Sequence, residues 1–188
     1  MTEEHPFEPF LPDGARLLML GTFPPSVKRW SMRFYYPNFM NDMWRIVGLC
    51  FYGNKDFFVD NQLKRFRLDE LVPFLCQKGI ALYDTCTKVI RTKNTASDKD
   101  LQVVETTDIA GILERLPYCR AIVTAGQLAT TLCCQQLGVV EPRVGDCSEA
   151  VLADGRAVRL YRMPSSSRAY PLSLEKKAEY YKKVFDLI

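Results

Sequence analysis

Histidine is nearly missing from this sequence: among 188 residues only His5 carries an imidazole. It lies in an acidic, proline-containing opening, residues 1–12, that reads as a loosely ordered segment. That placement removes His-based triads, His-metal sites and histidine general bases together. Paired cysteine spacing is missing too. The cysteines stand at 50, 76, 86, 119, 133, 134 and 147, with no C-x-x-C and no run of the kind that holds an iron–sulfur cluster. An odd count with Cys133 and Cys134 adjacent favours reduced thiols that pack as small hydrophobes. Metal and cofactor are therefore not expected. No apolar run approaches the roughly 18 residues of a membrane helix, and the start lacks the basic-then-apolar order of a signal peptide. The expectation is a cytoplasmic, monomeric protein without a membrane partner. The loop Gly21 to Ser26 is poor in glycine and lacks both G-x-G-x-x-G and the Lys-Ser/Thr ending of a phosphate loop. Net charge is only +3, too little to signal nucleic acid by itself.

What is present is an alternation. Four short apolar runs read as buried strands: Arg16 to Gly21, Ile80 to Asp84, Ala121 to Thr124 and Ala157 to Met163. Between and after them come helical patterns. Asn41 to Phe51 carries Met43, Trp44, Ile46, Val47 and Cys50; Leu68 to Gln77 stops at Gly79; Asp108 caps Ile109 to Leu116; Gln127 to Leu137 stops at Gly138; and Ser173 opens a last helix to about Phe185. Strands alternating with helices make a parallel sheet covered on both faces. The expectation is an α/β fold. It is one three-layer α/β/α domain over 1–188, with a short, mostly parallel, four-stranded central sheet.

Ligands of such sheets sit beyond the carboxyl ends of the strands. That rim collects Gly21 to Asn41, Asp84 to Asp98, Ala125 to Gln127 and Pro164 to Arg168. Lys28, Arg29, Arg33, Lys88, Arg91, Lys93 and Arg168 follow it, interleaved with Phe23, Trp30, Phe34, Tyr35, Tyr36 and Tyr170. Cations around aromatics suit phosphates about a stacked base. A solvated loop face over core aromatics is the plainer alternative. Lys176, Lys177, Lys182 and Lys183 belong to an ordinary helix surface.

Three segments carry a resemblance. Leu20 to Ile46, LGTFPPSVKRWSMRFYYPNFMNDMWRI, is similar to the first motif of the uracil-DNA glycosylase superfamily, in its mismatch-specific and hypoxanthine branches. The turn is Gly21 to Pro25, the aromatic Tyr35-Tyr36, and the helix start Asn41-Asp42-Met43-Trp44. Gly79 to Asp84 resembles the strand whose terminal polar residue reads the base. Met163 to Arg168, followed by Ser173 to Lys176, resembles the Pro-Ser loop that enters the minor groove. Phe23 stands where the mismatch-specific branch has an asparagine, Pro25 replaces a second glycine, Asp84 replaces an asparagine, and the minor-groove loop has no histidine.

The resemblance implies a monofunctional DNA N-glycosylase, a hydrolase of base excision repair that flips uracil, hypoxanthine or a related base from DNA. Its partner is duplex DNA with a damaged or mismatched base, or a single strand. Asn41 is the catalytic position, with Asp42 as rival, although the sequence reads equally well with Asn41 as a helix cap. Gly21, Thr22, Phe23, Tyr36 and Asp84 would bind the base, Tyr36 by stacking. Arg91, Pro164, Ser165, Ser166, Ser167 and Arg168 would hold DNA. A glycosylase-like DNA-binding module without activity and a small-molecule nucleoside or nucleotide enzyme are the alternatives.

Overall fold

The computed structural model describes residues 1–93, 95 and 97–188. It opens with β1 (Thr2–Glu4) and β2 (Leu17–Gly21), then reaches α1 (Met43–Tyr52). A short ribbon of β3 (Val59–Asp60) and β4 (Arg65–Phe66) precedes α2 (Leu68–Lys78). Next come β5 (Ile80–Asp84), β6 (Cys86–Arg91), β7 (Leu101–Thr106), α3 (Ile109–Glu114), β8 (Ala121–Ala125) and α4 (Gln127–Leu137). The chain closes with β9 (Cys147–Val151), β10 (Ala157–Met163) and α5 (Leu174–Phe185).

The four apolar runs become β5-β2-β8-β10, all parallel, at the centre of the molecule. Every residue of β2 and β5 is buried. Successive side chains of a strand point to opposite faces, so both faces are covered. Helices supply that cover: α4 lies on β8, α5 on β10 and α2 on β5, while α1 packs against α5 and α3 against α4. The architecture is α/β/α.

Two expectations need correction. The central sheet has five strands, not four, because β9 adds antiparallel to β10 at the edge. Its sequence, Cys-Ser-Glu-Ala-Val, buries only Ala150, so no apolar run announces it. Residues 1–12 are not loose. Thr2, Glu3 and Glu4 pair with Ile90, Val89 and Lys88 of β6, completing a small antiparallel sheet, β1-β6-β7. Phe10 then exchanges backbone hydrogen bonds with Leu82, at 3.0 and 2.9 Å, along the open side of β5. Phe7 packs on Trp30 and Tyr35, and Phe10 on Phe34. The apolar side chains between the prolines anchor the arm.

Among the described residues no helix is long and apolar enough to cross a membrane. All seven cysteines are free thiols.

Candidate functional site

Strand register builds the site. Gly21 pairs with Asp84, Leu20 with Thr124, and Ala125 with Met163, so four parallel strands end at one level. The chain leaves β2 toward β5 on one side and later returns to β8 on the other. That reversal opens a crevice at the strand ends. A cleft of about 790 Å³, open mouth included, lies there. Its walls bring together Gly21, Thr22, Phe23, Tyr36, Asn41, Asp84, Arg91 and Ser165 to Ser167. Asp42, Pro164 and Arg168 are not among the lining residues.

Asn41 sits two residues before α1, where the backbone bridges to Ser167 and Asp42 N–H donates to Ser166 O at 2.9 Å. Its Oδ1 accepts from Met43 N–H at 2.9 Å and so serves the start of α1, although the N-cap position is Asp42 and not Asn41. A carbonyl oxygen has two lone pairs, so one remains, and the side-chain NH2 makes no hydrogen bond among the described residues. Arg45 fixes this turn from below. Its guanidinium donates to Phe39 O at 2.8 Å and Asn41 O at 3.2 Å, over the Phe39 ring.

Asp42 is turned away from the cleft. Its Oδ1 accepts from Arg168 Nε at 2.9 Å and its Oδ2 from Lys177 Nζ at 3.1 Å. Lys177 is no surface residue: its side chain is 1% exposed and also donates to Ser167 O at 2.8 Å. The Pro-Ser loop is thereby tied to α1 and α5, with Tyr181 OH donating to Pro164 O at 2.9 Å. Pro164 and Ser166 are buried, which leaves Ser165, Ser167 and the half-exposed Arg168 as the loop's outward groups.

Arg91 is not a free cation. Its side chain is 7% exposed, forks onto both carboxylate oxygens of Glu3 at 3.0 and 3.2 Å, and donates to Pro24 O at 2.9 Å. It braces the first loop from inside.

The floor of the cleft is crowded and polar. A Cβ on Gly21 would collide with Asp84 Oδ1, so only glycine lets the carboxylate lie there. Tyr36 adopts a left-handed backbone, φ +49°, an uncommon and costly conformation for a side-chain-bearing residue. Its ring meets Trp44 edge-on, and its hydroxyl, close by Gly21, is buried without a hydrogen-bond partner among the described residues. Burial, followed by the nearby Asp84, pushes that phenol well above its ordinary pKa, so it is a neutral donor.

Two groups here were missed. His5, dismissed with its segment, places Nε2 2.9 Å from Asp84 Oδ2 with only 3% of its side chain exposed. Asp98 lines the cleft and accepts from Thr22 Oγ1 at 2.7 Å. Burial and then Asp84 push its carboxyl up, against the hydrogen bond from Thr22 and the charge of Arg91. Only its place on the rim hinted at it. Among the described residues no cluster of three or more His, Cys, Asp or Glu side chains is set to hold a metal ion.

No protein-family model and no curated protein matches the sequence. A solution NMR structure of a Methanosarcina acetivorans protein, described as "a putative Uracil DNA glycosylase", superposes with a TM-score of 0.63 at 22% sequence identity. The match covers 98% of this chain and 97% of that one. At that identity the likeness establishes architecture alone, and it does so end to end: this chain shares the α/β/α fold of that structure.

Proposed function

We propose that the protein is a DNA glycosylase that flips a deaminated or otherwise damaged base into the cleft and hydrolyses its N-glycosidic bond. One observation carries this: in a glycosylase-like fold, Asn41, Tyr36, Asp84, the Gly21–Phe23 turn and the outward serines of the Pro-Ser loop all converge on one crevice. Taking a base out of the stack costs about a few kcal/mol. Ser165, Ser167 and Arg168 are placed to offset part of that cost by contacts to the DNA backbone. Cleavage moves the C1′–N electron pair onto the base and leaves positive charge on the sugar. Water then bonds to C1′ and its proton is released. Asn41 is suited to orient that water with its spare lone pair, or to donate to a base oxygen with its NH2. Tyr36 and Phe23 present rings to the base, and Asp84 accepts from a base N–H.

A glycosylase-like binding module is a second reading, favoured by Phe23 in the turn and by Met43 N–H already occupying Asn41 Oδ1. One panel separates the two. Duplexes and single strands containing uracil, hypoxanthine, xanthine or a G·T mismatch are scored for abasic sites. Asn41→Ala should lower the single-turnover rate on the best substrate about 10²-fold or more, and losing the bond from Met43 N–H should cost about 1 kcal/mol of stability. Binding without cleavage across the panel supports the module. Cleavage by folded Asn41→Ala at the wild-type rate removes Asn41 from the chemistry.

A further inference from the structure

The sequence holds a single imidazole, and the fold brings it across 79 positions to Asp84, one of two carboxylates that line the cleft. The path is specific. β1 adds to β6, His5 N–H donates to Thr87 O at 2.8 Å, and the chain turns so that the ring drops behind β5. There it packs on Tyr83, Phe23, Phe7 and Tyr35, with centroids 4.7 to 6.2 Å away. Side-chain exposure is 3% for His5 and 9% for Asp84, so the pair is shielded from bulk water.

The two oxygens of Asp84 are used differently. Oδ2 meets His5, whereas Oδ1 lies against Gly21, whose backbone lines the cleft. The ring nitrogens differ in their surroundings. Nδ1 faces both backbone groups of Phe7, O at 2.8 Å and N–H at 3.2 Å, and can serve one as donor or the other as acceptor. Nε2 faces only the carboxylate oxygen, which accepts, so the proton of that hydrogen bond is carried on Nε2. Tyr35, Tyr36, Tyr83 and Asp98 also sense the charge of Asp84. None of these four makes a hydrogen bond to it among the described residues.

We infer that His5 is a positioning residue: it holds Oδ2 of Asp84 through a hydrogen bond from Nε2–H and so aims Oδ1, as an acceptor, at an N–H of the base in the cleft. The inference rests on the glycosylase reading of that cleft. It specifies the substrate class further: bases that present a ring N–H, as uracil, hypoxanthine and xanthine do, and as neutral adenine or cytosine do not on their pairing edge.

Because His5 is the only histidine, its ring nitrogens give one unambiguous set of signals in 15N-labelled full-length protein. A proton on Nε2, with a signal that shifts in Asp84→Asn, is expected. Free hypoxanthine or uracil should move that signal in wild type but not in Asp84→Asn. His5→Gln keeps a donor at the Nε2 position and should cleave within about threefold of wild type. His5→Leu keeps the bulk alone and should lose on the order of tenfold, as expected for one hydrogen bond to a charged group. Thermal melts of both variants confirm the fold. Imidazole signals indifferent to Asp84→Asn, or wild-type cleavage by His5→Leu, would overturn the inference. If no substrate in the panel is cleaved, the glycosylase reading fails separately. The response of His5 to free bases then decides the inference alone: a response lost in Asp84→Asn supports it, and no response overturns it.

Discussion

Two buried aspartates, one on each side of the cleft, are held in opposite ways. Asp42, beside α1 and α5, has both oxygens taken by permanent cations, Lys177 and Arg168, and faces the protein. Asp84, at the end of β5, has one oxygen on a titratable imidazole and the other beside Gly21 at the cleft. A carboxylate with each oxygen bonded to a cation of the protein, and turned from the cleft, is not presented to a ligand. One that leans on histidine through a single oxygen keeps the other free to accept. On the proposed glycosylase reading, the difference suits Asp42 to architecture and Asp84 to recognition, whereas the sequence nominated Asp42 for catalysis.

Removing Asp42 should therefore strike the fold first. Asp42→Ala leaves Lys177 buried without its partner, and losses of about 3–5 kcal/mol attend such orphaned charges. Urea unfolding measures it. A loss under about 1 kcal/mol, the scale of an exposed pair, would erase the contrast. Asp84→Asn should instead act on choice. The ratio of single-turnover rates between the two best substrates should shift about tenfold, since a donor replaces an acceptor at one contact. Its unfolding free energy should fall by less than that of Asp42→Ala. The smallest effect belongs to Asp98. With its folded pKa raised, this carboxyl adds stability at low pH that disappears as pH rises through the folded value. Asp98→Asn, which can still accept from Thr22, should thus gain on wild type at pH 7 and lose that advantage near pH 4. Parallel unfolding curves at both pH values would leave Asp98 without its shift.

Much of this was legible, and the reasons are physical. β2, β5 and β8 are buried on both sides, so their apolar runs stand out, β10 buries Val158, Leu160 and Met163, and parallel strands must bring Gly21, Asp84, Ala125 and Ser165 to a common rim. Pairing at an edge leaves no such mark. β1, β6, β7 and β9 mix charged and polar residues because one side faces solvent, and with β1 went His5. Lys177 is a different failure. It shares the helical stripe of Tyr181 and Val184, at spacings of four and seven, and that signal was available. Residue type outweighed position. Arg91 was read by its charge alone, and its partner, Glu3, lay in the dismissed segment. At the cleft, Asn41, Tyr36 and Asp84 converge. Asp98 arrives by way of the β6–β7 connection, for which the sequence offered no motif.

The Tyr36 hydroxyl, desolvated and unpaired among the described residues, has a consequence for discrimination. Most donors must shed water before they meet a ligand, which cancels much of what the new bond contributes. Here that cost is already borne by the fold, through the strained backbone and the burial of the ring. A ligand atom able to accept from this phenol recovers nearly the whole interaction, whereas a C–H in the same place recovers nothing. On the proposed glycosylase reading, selection at this spot operates by mismatch of polarity at equal shape, and two bases of identical outline are told apart without any steric clash.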